Sequence, residues 1–239
     1  MSSIPVMTAP ERHTLTVHGA WQGARASVPL GVASAVLGAG FGVAVRQVDL
    51  PLWATLFMSG SVFAGAAQFA ALPLWSAPLP LVPIWLSTFA VNARFALLSA
   101  SLTPWLKHYR GPTPWATVFL LGEGQWAIGM QAYAKGERDL GVLVGSGLVV
   151  WVVWMGGTAA GFLAAPSLGD PRRFGLDLVL VLFFASTLTL GWRGPRDLVP
   201  WTAAALATRI PASVVAPEWQ VLVAALVGAS VGAWRDTRR

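Results

Sequence analysis

The stretch LPLWATLFMSGSVFAGAAQFAALPLWSAPLPLVPIWLSTFAVNA, residues 50–93, holds 44 residues without one charged side chain. A helix needs about 20 consecutive apolar residues to cross the hydrocarbon core of a bilayer, so this run has room for two crossings. Two more charge-free runs have room for one each: 20 residues between Arg25 and Arg46, and 30 between Asp139 and Asp170. A transmembrane β-barrel would instead need segments of about 10 residues in strict alternation. The runs here are continuous, so the sequence predicts an all-α, polytopic transmembrane helical bundle.

Composition agrees. Charged residues make up 11% of the 239 residues, against about 25% in a soluble domain. Hydrophobic residues make up 55%, and the mean hydropathy is +0.62. Ten acids and sixteen bases cannot coat a soluble globule of this length. Disorder is excluded as well, since it requires low hydrophobicity. The net charge of +6 does not point to nucleic acid, because the bases punctuate the ends of apolar runs, where Lys and Arg orient membrane helices. The absence of cysteine removes disulfides, thiolate metal sites and cysteine nucleophiles.

Spans are expected at about 26–45, 51–75, 81–103, 115–134, 141–165, 176–192, 198–213 and 217–234. The seventh contains Arg209 and Pro211, so the count is seven or eight. Residues 1–24 read as a polar tail without the apolar core of a signal peptide, 25–234 as one membrane domain, and 235–239 as a basic tail. With the N-terminus inside, nine bases fall inside and six outside, a small excess in the expected direction. Gly141/Gly145, Gly157/Gly161 and Gly228/Gly232 are spaced for close helix approach. They serve either general packing or a homo-oligomer face. The glycines and prolines of the first two spans predict kinked or broken helices, which often build transporter sites.

A few polar residues sit where they are costly. Glu123 lies midway between Trp115 and Tyr133, so on a straight helix it sits near mid-bilayer, at a cost of at least about 2.5–3.5 kcal/mol. It is expected to face the interior, pair with a cation or carry a proton. Arg94 lies ten residues before Pro104, too deep for easy snorkelling. Asn92 lies two residues earlier, about 200° around the helix. Thr88, Asn92 and Ser99 form one polar stripe and Arg94 and Ser101 another, so the third span is expected to be buried on both sides or locally unwound. Gln68 places an amide in an apolar segment and needs a partner, whether a neighbouring helix, water or a substrate. Asp177 opens the sixth span, where the helix dipole favours an acid. No histidine-based catalytic set, metal-ligand set, phosphate loop or cofactor motif is evident, so no enzyme is expected.

The runs SVFAGAAQFAAL (61–72) and VNARFALLSASLTPWL (91–106) resemble the signature of the AzlC-type branched-chain amino-acid permeases. PLGVASAVLGAGFGVAV (29–45), GLDLVLVLFFASTL (175–188) and VLVAALVGASVGAW (221–234) extend the resemblance in the same order. It implies an exporter of branched-chain or similar hydrophobic amino acids in a bacterial-type cytoplasmic membrane, and the intramembrane acid Glu123 adds the expectation of proton coupling. It also implies a short AzlD-type membrane subunit as partner. Gln68, Asn92 and Arg94 fall in the signature runs and become candidate substrate contacts, with Phe63, Phe69 and Phe95 as the apolar lining. Glu123 and Asp177 become candidate coupling or ammonium-binding acids. One departure stands out: where the family commonly has an Asp-Glu pair, this chain reads GEGQWA (122–127), with Glu123 alone. A transporter of another small solute or ion, or a membrane scaffold without transport, remains open on the residues alone.

Overall fold

The computed structural model describes residues 13–75, 78–168, 185, 192, 194–211, 213–215 and 217–237. It is helical, with no strand among the described residues. The elements are α1 (Val17–Ala26), α2 (Val28–Arg46), α3 (Leu52–Ser61), α4 (Gly65–Ala71), α5 (Leu81–Ser101), α6 (Thr103–Leu106), α7 (Thr113–Phe119), α8 (Glu123–Ala134), α9 (Gly141–Ala164), α10 (Leu198–Ala207) and α11 (Pro217–Asp236). The segments Val28–Arg46, Leu81–Ser101 and Gly141–Leu168 are long and apolar enough to cross a membrane. Asp177 and almost all of the expected sixth span lie outside the described residues.

The chain divides into two compact units. Unit 1 is drawn from Met1–Ala33 and Phe95–Val153, unit 2 from Ser34–Arg94 and Trp154–Arg239. In unit 1, α1 lies inside the stretch expected to be a polar tail. Thr16 caps this helix by accepting from the Gly19 N–H at 2.9 Å. Helix α1 then lies close against the start of α9. A Cβ on Gly23 would fall on the Val142 carbonyl oxygen, and one on Gly145 on the Ala20 carbonyl oxygen. Buried Ser27, just beyond α1, shares a 2.7 Å hydrogen bond with Ser146 Oγ on α9. The unit's core joins Leu102, Trp105, Leu106, Leu121, Leu140 and Leu143.

Unit 2 repeats the packing device. Cβ atoms on Gly42 and Gly161 would strike the backbone carbonyls of Thr158 and Ala39 respectively. Its core sets Phe41 edge-on to Phe69, with ring centroids 5.3 Å apart, and stacks it against Trp154. On α11, Gly228 meets Ala204 and Pro200 of α10. The glycine pairs thus seat helices of the same chain. In lipid, where apolar side chains gain little by leaving the solvent, close backbone approach supplies that adhesion.

Two expectations about helix breaks are revised. The glycine-rich first span is one continuous helix, α2, because its glycines are consumed by packing. The second span does break, at Val62–Ala64, between α3 and α4. The fourth, expected to be straight, breaks too, at Leu120–Gly122 between α7 and α8. The two broken spans share a motif ahead of or across the break. WATLFMSG (53–60) and WATVFLLG (115–122) agree at five of eight positions. In each copy the threonine is buried and donates to the carbonyl four residues back, Thr55 to Pro51 at 3.1 Å and Thr117 to Thr113 at 2.9 Å. After each break the chain resumes as a short helix whose first or second turn buries a glutamine, Gln68 or Gln125, followed by an aromatic residue. Each unit therefore carries one broken span that contains this motif.

Candidate functional site

A cavity of about 540 Å³ lies in unit 2, between α3, α4 and the first part of α5. Its walls are mostly apolar: Met58, Val62, Trp75, Ile84, Trp85 and Phe89, with Ala67 and Ala71 as floor. The size falls within the roughly 300–1,000 Å³ typical of small-molecule sites. Polar groups enter at three points, Gln68, Thr88 and Asn92. Among the described residues that line it, none is charged. Trp85 and Phe89 are 78% and 73% exposed, so the cavity reaches the surface of the chain along α5.

The geometry follows from the break in the second span. Because the helix stops at Ser61 and restarts at Gly65, α4 brings Gln68 back toward α3. Fully buried, Gln68 donates from Nε2 to Ser59 Oγ at 3.0 Å. Its Oε1 is buried without a hydrogen-bond partner. On α5, Thr88 and Asn92 are one turn apart and line the same cavity. Asn92 Oδ1 is also buried and unpartnered. A buried acceptor without a donor costs about 1–3 kcal/mol, and both oxygens belong to residues that line this cavity.

The other sequence candidates are placed differently. Arg94, about 200° around α5 from Asn92, is half-buried and is not among the residues lining the cavity. Phe69 is fully buried in the unit 2 core and Phe63 packs against that core, so neither lines the cavity. Phe95 belongs to unit 1 and is half-buried. Glu123 is exposed and opens α8 directly after the Leu120–Gly122 break. It does not sit midway along a straight helix, because α7 has already ended at Phe119. The third span is not locally unwound: α5 runs unbroken for 21 residues and buries only Pro83 and Ser87. Its second polar stripe has a structural use, since Ser101 Oγ accepts from Trp126 Nε1 at 2.8 Å within unit 1.

The aromatic wall is Trp75, Trp85 and Phe89 rather than the phenylalanines expected near Gln68. Gln125 is a second amide in an apolar segment, a weaker case than Gln68 on the sequence. It is 3% exposed, and its amide folds over Gly122, where a Cβ would strike Oε1.

The comparisons with known proteins bear on the whole chain. A family model described as AzlC protein matches residues 29–168. An uncharacterized membrane protein of Archaeoglobus fulgidus is 31% identical over 198 residues, 81% of this chain and 85% of that protein. Uncharacterized membrane proteins of two Helicobacter pylori strains, J99 and 26695, are 26% and 25% identical over 149 residues, 62% of this chain. The chain matches 65% of the length of each of those two, a little under two thirds. No solved structure matches. The family match takes in both broken helices, the cavity-forming segments and α9. The chain belongs to the AzlC family, and the relatives it matches are named membrane proteins.

Proposed function

We propose that the protein is a secondary active transporter that exports branched-chain or similar hydrophobic amino acids across a bacterial-type cytoplasmic membrane. The observation that carries this reading is the unit 2 cavity: apolar walls sized for a small solute, with the unpartnered amide oxygens of Gln68 and Asn92 beside them. A broken helix at such a site suits alternating access, since half-helices can tilt separately while the bonds within each stay intact. The cavity's opening along α5 supports a second membrane protein covering it, which we take to be the short AzlD-type subunit. Export of labelled leucine or valine from loaded cells, or from proteoliposomes holding both subunits, tests the reading. Release no faster than from empty membranes ends it.

We assign proton coupling to Glu123, the acid at the start of the second half-helix of the fourth span. Glu123→Gln removes the titrating group and keeps the shape. The variant is expected to fold and to bind substrate. It should lose at least about tenfold of the stimulation given by a pH gradient, the equivalent of about 1.4 kcal/mol. Undiminished gradient-driven export by this variant would place coupling elsewhere.

A further inference from the structure

We propose that a second pocket, in unit 1, binds a phospholipid headgroup that carries both a phosphate and a primary ammonium. The pocket has a volume of about 360 Å³ and lies between α1, the end of α8 and the start of α9. Gln22, Gln131, Lys135 and Glu137 give it a polar side, and Ala26, Ile128 and Val142 an apolar one. It shares no residue with the cavity of unit 2, and the proposal does not depend on the transport reading.

Depth in the membrane selects a lipid. The span Gly141–Leu168 starts beside the pocket, with Val142 as its second residue. At 1.5 Å per residue its 28 residues cover about 42 Å, enough for the headgroup layers as well as the hydrocarbon core. Its first turn therefore lies among headgroups. Aromatic and basic residues mark the same level, as they do at membrane interfaces. The Arg25 guanidinium lies 4.9 Å over the ring of exposed Trp21, and the Arg138 guanidinium 4.2 Å over that of Tyr133. Helices α1 and α9 run side by side, with Gly23 against Val142 and Ser27 bonded to Ser146. Ala26, one turn past Gln22, is therefore deeper than the polar side, and so is Ile128, almost two turns before Lys135. A lipid with its headgroup on the polar side can run its acyl chain past these two residues into the hydrocarbon.

Charge decides which headgroup. Lys135 is exposed and Glu137 half-buried, two residues apart, and both line the pocket. The Glu137 carboxylate is held in place, since its Oε1 accepts from the Arg138 and Asp139 N–H groups, each at 2.8 Å. A phosphate suits the Lys135 ammonium, and the exposed amides of Gln22 and Gln131 bring further N–H donors. Gln22 Nε2 already meets His18 Nε2 at 2.9 Å, which leaves it one N–H. A phosphate alone would also lie against the Glu137 carboxylate, and like charges repel. A headgroup that carries an ammonium answers both charges at once. A primary ammonium donates hydrogen bonds to the carboxylate, whereas a quaternary one has no N–H to give. A dissolved amino acid carries the same two charges; the depth of the pocket favours the lipid, and the experiment separates the two.

The experiment is native mass spectrometry of the delipidated full-length chain in detergent. It is titrated with dioleoyl-phosphatidylethanolamine, the matching phosphatidylcholine and phosphatidylglycerol, glycerophosphoethanolamine and L-leucine. Phosphatidylethanolamine should bind at least about tenfold more tightly than the other two lipids, the effect of one hydrogen bond to a charged group. Glu137→Gln keeps an acceptor for the two backbone N–H groups and should erase that preference. Lys135→Gln, at an exposed position, should weaken phosphatidylethanolamine by about tenfold or more. Without lipid it should melt with the parent, which separates lost binding from lost folding. Equal binding of the three lipids overturns the proposal, and so does a preference that survives both substitutions. If glycerophosphoethanolamine or L-leucine binds as tightly as the full lipid and either substitution abolishes that binding, the pocket takes a dissolved zwitterion and the lipid assignment falls.

Discussion

Replacing Gly145 by leucine should prevent α1 and α9 from docking and cost at least about 3 kcal/mol. The added Cβ would fall on the Ala20 carbonyl oxygen, with the Ala20 carbonyl carbon and Cα close behind. These are backbone atoms of a regular helix and cannot rotate away as a side-chain tip does. Inserting methylenes into a well-packed contact typically costs about 1–3 kcal/mol, and more where the neighbours are rigid. The helices would have to separate, and the 2.7 Å Ser27–Ser146 hydrogen bond next to the contact would break with them. The control lies on the same helix: a Cβ on exposed Gly156 meets nothing within 4 Å. Gly156→Ala should be neutral or gain up to about 1 kcal/mol from helix propensity. Heating both variants in detergent and following the folded fraction by size-exclusion chromatography checks the pair. A Gly145→Leu protein that melts with the parent would show that this contact does not hold unit 1 together.

Asp139→Ala should cost unit 1 about 2–4 kcal/mol, less than the full sum of the three hydrogen bonds to charge that it removes, because the two to Thr16 are exposed. The Asp139 carboxylate accepts from the Thr16 N–H at 3.0 Å, from the Thr16 hydroxyl and from the Gly141 N–H at 2.8 Å. It thereby ties the start of α1 to the start of α9, and through Thr16 it supports the cap of α1. A neighbouring clasp reinforces the same end. Tyr109 OH donates toward the Thr14 and Arg138 carbonyls at 2.6 and 3.0 Å, and burial pushes its phenol above the usual value. Asp139→Asn keeps an acceptor for the Thr16 and Gly141 N–H groups and loses the charge, so about half of the effect should remain. Thermal unfolding of the purified variants measures this. An Asp139→Ala protein that melts with the parent would mean that the carboxylate does not act as the tie.

Much of the site was legible from single residues. An amide in an apolar run must find a partner, so Gln68 stands out from the sequence alone. Asn92 and Arg94, two positions apart on a helix, had to face different ways, and they do: one lines the cavity and the other does not. Phe63 and Phe69 could not be sorted by sequence. In a helix as short as α4 the periodicity is too brief to show which aromatic faces the core. Glu123 opens a helix instead of sitting midway along one for a related reason. Nothing but Gly122 marks the break before it, and a straight helix was the simpler extrapolation.

The sequence by itself determined the solvent and the secondary structure. In hydrocarbon every backbone polar group must be bonded within the protein, so 44 residues without a charge can only become helices. It also determined that the glycine pairs would be contact points, because small residues are the means of adhesion in lipid. The tertiary structure alone decided which helix each pair meets, where two helices break, and which polar atoms are left without partners around the cavity. Those outcomes depend on residues far apart in the chain, such as Gly23 and Val142 or Gln68 and Asn92, and local pattern carries no record of such meetings.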